Sequence, residues 1–182
     1  AYSGEEFSTD ISVMEPTKGD LVNFGQFSDR SNVTEAKVGT AFSQWLRGRA
    51  LYVTEKKQWM IWDANHWKTD QCAFITKLAY HFITEAKAVL VDMNNYTEAS
   101  NLSSFESVAR LENISKFAAT DRSVSTLDFD TEPFLLATFN SWIDLKTGQP
   151  FVPNPEVLVS KTVSVDYCST AECPNFLQFI HD

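Results

Sequence analysis

The stretch from Phe74 to Leu90 constrains the fold more than any other part of the chain. Phe74, Ile75, Leu78, Ala79, Phe82, Ile83, Ala86, Val89 and Leu90 recur at three- and four-residue spacing, which gathers them into one broad apolar stripe along a helix. Asp70 stands where it can cap that helix, and Asn94-Asn95 breaks it. Leu102, Phe105, Val108, Ala109, Leu111, Ile114 and Phe117 then form a second amphipathic helix, in one piece or two. Two helices joined by a short polar break make an antiparallel pair.

The flanking segments have other periods. Thr34 caps a helix carrying Val38, Ala41, Phe42, Trp45 and Leu46, with Gly48 placed to end it. Leu51–Val53, Gln58–Asp63 and His66–Lys68 are rich in β-branched and aromatic residues. They are separated by the polar Glu55-Lys56-Lys57 and Ala64-Asn65 turns, which predicts a small antiparallel β-meander. After Arg122 the texture becomes strand-like at Leu127–Phe129, Phe134–Phe139, Trp142–Leu145, Phe151–Val152 and Thr162–Tyr167. Gly148 there takes the left-handed position of a hairpin turn. Pro174 opens a C-terminal helix bearing Phe176, Leu177, Phe179 and Ile180, which stops at Asp182 after barely two turns. Residues 1–33 hold no sustained period and read as a linker or arm docked by Phe7, Phe24 and Phe27; residues 34–182 read as one module. The fold class is α+β: a helix and meander, a helix pair, then hairpins and a truncated helix.

Several function classes are excluded. The six glycines supply neither a Gly-Lys-Ser/Thr phosphate loop nor a GxGxxG turn. The net charge of −9 is unevenly spread, because residues 123–182 carry eight acids against Lys146 and Lys161. That third repels polyanions, so any such contact belongs to the first 122 residues. Cys72, Cys168 and Cys173 are too few for a disulfide scaffold and fit a reducing compartment. Asn32, Asn95, Asn101 and Asn113 open Asn-x-Ser/Thr triplets, the only argument for a secreted recognition domain.

Cys168, Cys173 and His181 lack a fourth ligand and zinc-site spacing, so no metal is expected. Asp128, Asp130 and Glu132 read as a solvated edge rather than a cation site; His66 and His81 are lone histidines, and His81, in the apolar-rich helix, reads as a packed side chain. No catalytic set emerges.

The best candidate for nucleic-acid contact is residues 45–68. Arg47, Arg49, Lys56, Lys57 and Lys68 are interleaved there with Trp45, Tyr52, Trp59, Trp62 and Trp67. Cations that follow phosphates and rings that stack on bases are what single-strand binding needs. Against this, strand side chains alternate faces, so Trp59 and Ile61 point one way while Met60 and Trp62 point the other. The rings cannot all form one platform, and core packing is the stronger reading.

The run from Phe134 to Phe179 resembles the module that precedes the superfamily 3 helicase domain in phage and plasmid primases and in the poxvirus primase-helicase. The resemblance rests on Leu135-Leu136, Asn140, Asp144-Leu145-Lys146-Thr147-Gly148, Pro153, Pro155, Val165-Asp166-Tyr167 and Cys173-Pro174. Tyr52-Val53, Trp59, Trp62-Asp63, Trp67 and Asp70 continue it in the first half, for coverage of about residues 34–182. One departure is that the family's Asn-Gly is Asn140-Ser141 here, which puts the local turn in question.

The resemblance implies a non-catalytic piece of a mobile element's DNA-replication protein, cytoplasmic in a bacterial host and off the membrane. It would connect a primase to an NTP-hydrolysing helicase and help assemble the helicase ring. The partners implied are the helicase domain of the same polypeptide, a homo-oligomer (hexameric at full length) and single-stranded DNA. No cofactor is implied for residues 1–182; ATP and Mg belong to the helicase domain expected after Asp182.

Overall fold

The computed structural model describes residues 33–181, so the arm, apart from Val33, lies outside the described residues. Helix α1 (Glu35–Trp45) begins at Thr34, whose hydroxyl accepts the Lys37 N–H at 3.3 Å. Gly48 sits in the turn after it at φ +69°. Helix α2 (Phe74–Asp92) carries the apolar stripe, and Ala73 just before it holds a left-handed φ of 52° and supplies no side-chain cap. The cap comes from Asp70 instead, whose carboxylate accepts the N–H groups of Phe74 at 2.8 Å and Ile75 at 2.9 Å. The second amphipathic stretch is two helices, α3 (Tyr96–Ser103) and α4 (Val108–Asp121), with Phe105 buried in the link between them.

Strands β1 (Ala50–Val53), β2 (Gln58–Trp62) and β3 (Trp67–Thr69) form the expected antiparallel meander. A two-residue strand, β4 (Ser123–Val124), joins it parallel to β1, giving the order β3-β2-β1-β4. Such a short strand has no periodicity to read. The second sheet, β5 (Leu135–Ala137), β6 (Trp142–Asp144) and β7 (Gln149–Phe151), is antiparallel. Helix α5 (Pro174–His181) follows, so the described residues form five helices and two small sheets, a mixed α+β fold.

Two expected strands are absent. Thr126–Asp128 is a 3₁₀ turn, because Ser125 and Asp128 make a reciprocal capping box. Thr162–Tyr167 joins neither sheet because it bends at Ser164-Val165, where the Val165 N–H turns back onto the Val163 carbonyl at 2.8 Å.

Helices α1 and α4 lie side by side in the same direction. Glu35 accepts from Asn113 at 3.0 Å near one end, and Ser43 donates to Asp121 at 2.9 Å near the other. Each helix then leads into a strand, and those strands, β1 and β4, are also parallel. This parallel pairing of α1 with α4 had no signal in the sequence, where only the α2 partnership was legible.

The two backbones come closest at Gly39, where a Cβ would lie 2.5 Å from Phe117 Cβ and 3.1 Å from the Ile114 carbonyl. Around this contact Val38, Phe42, Leu78, Phe82, Ile83, Leu102 and Ile114 form the fully buried helical core. No described helix is long and apolar enough to cross a membrane.

Gly39→Ala therefore lowers the urea midpoint. Helix propensity favours alanine by about 1 kcal/mol, but overpacking against a neighbouring Cβ and backbone costs about 1–3 kcal/mol. An unchanged or higher midpoint would show that α1 can move away from α4 at no cost.

Candidate functional site

The basic and aromatic residues of the 45–68 segment do not all come together on one surface. Trp67 is 1% exposed, and its indole N–H donates to the Pro155 carbonyl at 3.2 Å. Trp62 is half-buried on the same face of the sheet, while Trp59 packs against the helical core on the other. The face alternation expected for this strand is what the structure shows.

The cations are also divided. Lys68 pairs with Asp63 at 2.8 Å. Arg49 folds back onto the end of α1, donating to the Trp45 carbonyl and lying 4.9 Å above the Trp45 ring. Arg47 is exposed beside Arg122, whose pKa is lowered by burial and then by the Arg47 charge. Lys56 and Lys57 are exposed on the β1–β2 turn, with Lys57 at φ 51°.

The motif residues converge instead on a joint between the two sheets. Trp67, Trp62, Trp142 and Phe151 form a continuous aromatic chain with centroid separations of 5.4, 6.1 and 6.0 Å. Trp142 is fully buried, and its indole N–H donates to the Asn65 carbonyl at 3.0 Å. Asn65 in turn donates from Nδ2 to the Thr138 carbonyl at 2.8 Å, so the meander's turn and the second sheet are tied in both directions. Asp63 shapes that turn by accepting the N–H groups of Asn65 and His66. Burial pushes the Asp63 carboxyl up, but hydrogen bonds from His66 and Lys68 outweigh it and hold the group well below the usual carboxylate range.

The later motif works in the same way. Asn140 Oδ1 accepts the Tyr167 N–H at 2.8 Å and its Nδ2 donates to the Tyr167 carbonyl at 3.0 Å. The Asn140 amide thus satisfies both backbone polar groups of Tyr167, while upstream Val163 donates its N–H to the Ala137 carbonyl at 2.9 Å and Val165 accepts the Phe139 N–H at 3.1 Å. Asp144 Oδ1 accepts the Lys146 N–H, Thr147 accepts the Gln149 N–H, and Gly148 holds φ +71°, completing the β6–β7 turn. Leu145 donates its N–H to the Phe134 carbonyl at 2.8 Å and leaves its side chain exposed. Asp166 and Cys173 are exposed, and Pro174 opens α5.

Other candidates are spread out. Asp128 caps Ser125, whereas Asp130 accepts from the Ser160 N–H and hydroxyl. Among the described residues no group of three or more His, Cys, Asp or Glu side chains could hold a metal ion. All three cysteines are free and exposed. Asn101 is buried and Asn113 is engaged with Glu35, so neither is an open glycan acceptor; Asn32 lies outside the described residues.

One concavity escaped the sequence reading. A groove of about 440 Å³ lies between Tyr52 and Trp59 of the first sheet and Ser115, Lys116 and Ala119 of α4. The parallel β1–β4 pairing and the packing of α4 on α1 bring α4 there, contacts that span more than seventy residues of sequence.

The family model described as D5 N terminal like matches residues 39–182. This is the domain found in phage and plasmid primase-helicase proteins, and the chain belongs to that family. No curated protein matches the sequence.

The depressed Asp63 pKa fixes the sign of a pH effect. A carboxylate held below its unfolded value, about 3.9, stabilises the fold above that pH and loses the contribution as pH falls toward the folded-state value. The urea midpoint of the native chain should exceed that of Asp63→Asn by its full margin above about pH 4, with the gap narrowing between pH 4 and pH 3. A gap of constant size across that range would mean that the carboxylate's charge is not what holds the turn.

Proposed function

We propose that this member of the D5 N-terminal-like family is the non-catalytic module that joins the primase and helicase parts of one DNA-replication polypeptide and supports assembly of the helicase ring. The observation that carries this reading is the use made of the motif residues. Trp62, Asp63, Trp67, Asn140, Asp144 and Gly148 are engaged in internal contacts and turns. A motif spent in this way preserves the relative placement of two sheets, which is what a connector has to do.

Two further features support it. The last third is strongly acidic, which disfavours a nucleic-acid path along it and leaves that region for protein contacts. Helix α5 leaves Phe179 79% and Ile180 60% exposed, an apolar pair suited to a neighbouring part of the same polypeptide. The chemistry of ATP and Mg belongs, on this reading, to the helicase part. The setting is the cytoplasm of a cell that hosts a phage or plasmid. The buried Asn101 argues against the secreted alternative.

The test is made in the intact primase-helicase polypeptide. Phe179→Asp should lower the fraction of ring-sized assembly in analytical ultracentrifugation by severalfold, while the thermal midpoint of the isolated 182-residue chain stays unchanged. Full assembly by the variant would remove α5 as a contact and with it the ring-assembly part of the reading.

A further inference from the structure

We propose that the groove between the first sheet and α4 binds a nucleobase of a single-stranded nucleic acid, with lysines at its rim holding the flanking phosphates. This goes beyond the connector reading and does not depend on it, because none of the joint's residues lines the groove.

The floor has the chemistry of a stacking site. Tyr52 and Trp59 are directly opposite each other across the β1–β2 ladder, with ring centroids 5.4 Å apart at 66°. Both side chains line the groove and are only half-buried. Across the groove, α4 presents Ser115 and Ala119, side chains too short to fill the space above the rings. The volume of about 440 Å³ falls in the range of small-ligand sites, roughly 300–1,000 Å³.

The rim has the charge of a phosphate path. Lys116 lines the groove from α4, and the β1–β2 turn, which departs from groove-lining Thr54, carries Lys56 and Lys57; all three are exposed. Two acids lie nearby. Glu55 is already engaged, accepting from the Ser125 hydroxyl at 2.6 Å and the Thr126 N–H at 3.1 Å. Glu112 lies one turn from Lys116 on the same face of α4. Lys56, Lys57 and Lys116 are three of only 15 basic residues in a chain whose net charge is −9. An apolar peptide would use the rings and waste the lysines, whereas a base with its flanking phosphates uses both.

The experiment is a fluorescence-anisotropy titration of the whole chain against a labelled twelve-residue oligothymidylate and an abasic strand of the same length, at several salt concentrations. The base-bearing strand should bind at least about tenfold more tightly than the abasic one, the gain expected of a stacked base. With three phosphates neutralised, log affinity should fall against log salt with a slope of about −2. Lys116→Glu should weaken binding severalfold and flatten that slope by nearly one, while Tyr52→Ser should erase the preference for the base-bearing strand. Should Tyr52→Ser fail to fold, the abasic comparison and Lys116→Glu, at an exposed helix position, still decide the matter. No binding at low salt, equal binding of the two strands, or native affinity and slope in Lys116→Glu would each overturn the proposal.

Discussion

Strand β2 is buried on both faces, and the rest of the molecule is arranged to make that so. Its five residues send Trp59 and Ile61 into the helical core and Met60 and Trp62 into the cluster that reaches the second sheet. A strand with large apolar side chains on both sides cannot rest on a single layer. The helices must cover one face, and something after residue 122 must cover the other. That requirement explains why the strand-rich last third folds back onto the meander, with Trp67 N–H bonding to the Val159 carbonyl at 2.8 Å. It also explains why Trp62 touches both the second and third apolar clusters.

The contacts that close the second face are polar at their edges and aromatic at their centre. Trp142 and Trp67 are nearly or fully buried, and a buried indole N–H needs an acceptor. Both find backbone carbonyls in the opposing segment, Asn65 for Trp142 and Pro155 for Trp67. Each hydrogen bond is worth about 0.5–1.5 kcal/mol net, but leaving a buried donor unpaired costs about 1–3 kcal/mol. The joint is therefore specific as well as adhesive: sliding one sheet against the other would orphan both indoles at once. Trp62 and Trp67, which look like part of a nucleic-acid platform in one dimension, are in three part of the fastening between two sheets.

Local chemistry was the legible part of the sequence. The α2 stripe, the Thr34 and Asp70 caps, the meander and the left-handed Gly148 all depend on neighbours within a few residues, and each appears in the structure. The family resemblance was legible because its motif residues keep their order and spacing. Less legible were features set by contacts distant in sequence. Two residues sufficed for β4 because β1 was already there to pair with, and Asn140 could bind the Tyr167 backbone only because the fold brought the two together. At Ser125–Asp128 a capping box overrode the strand propensity of Leu127 and Phe129. For the candidate groove, Trp59, Lys56 and Lys57 could be picked from the segment, whereas Lys116 could not, since nothing local links α4 to β2.

The groove itself follows from how α4 is held. On one side, Ile114 and Phe117 lie against Gly39, and the missing side chain lets α1 draw α4 close. At its end, the Arg122 carbonyl accepts the Tyr52 N–H at 2.9 Å, fixing the helix terminus at the edge of the sheet. The opposite face of α4, carrying Glu112, Ser115, Lys116 and Ala119, is thus set above Tyr52 and Trp59 at a spacing fixed by those two attachments. Longer apolar residues at Ser115 and Ala119 would have closed that space and extended the core. With short ones, a half-buried aromatic pair is left facing a concavity next to the most basic turn of the chain. A connector has no need of such an opening, and its presence is the strongest reason to give this module a ligand as well as a structural task.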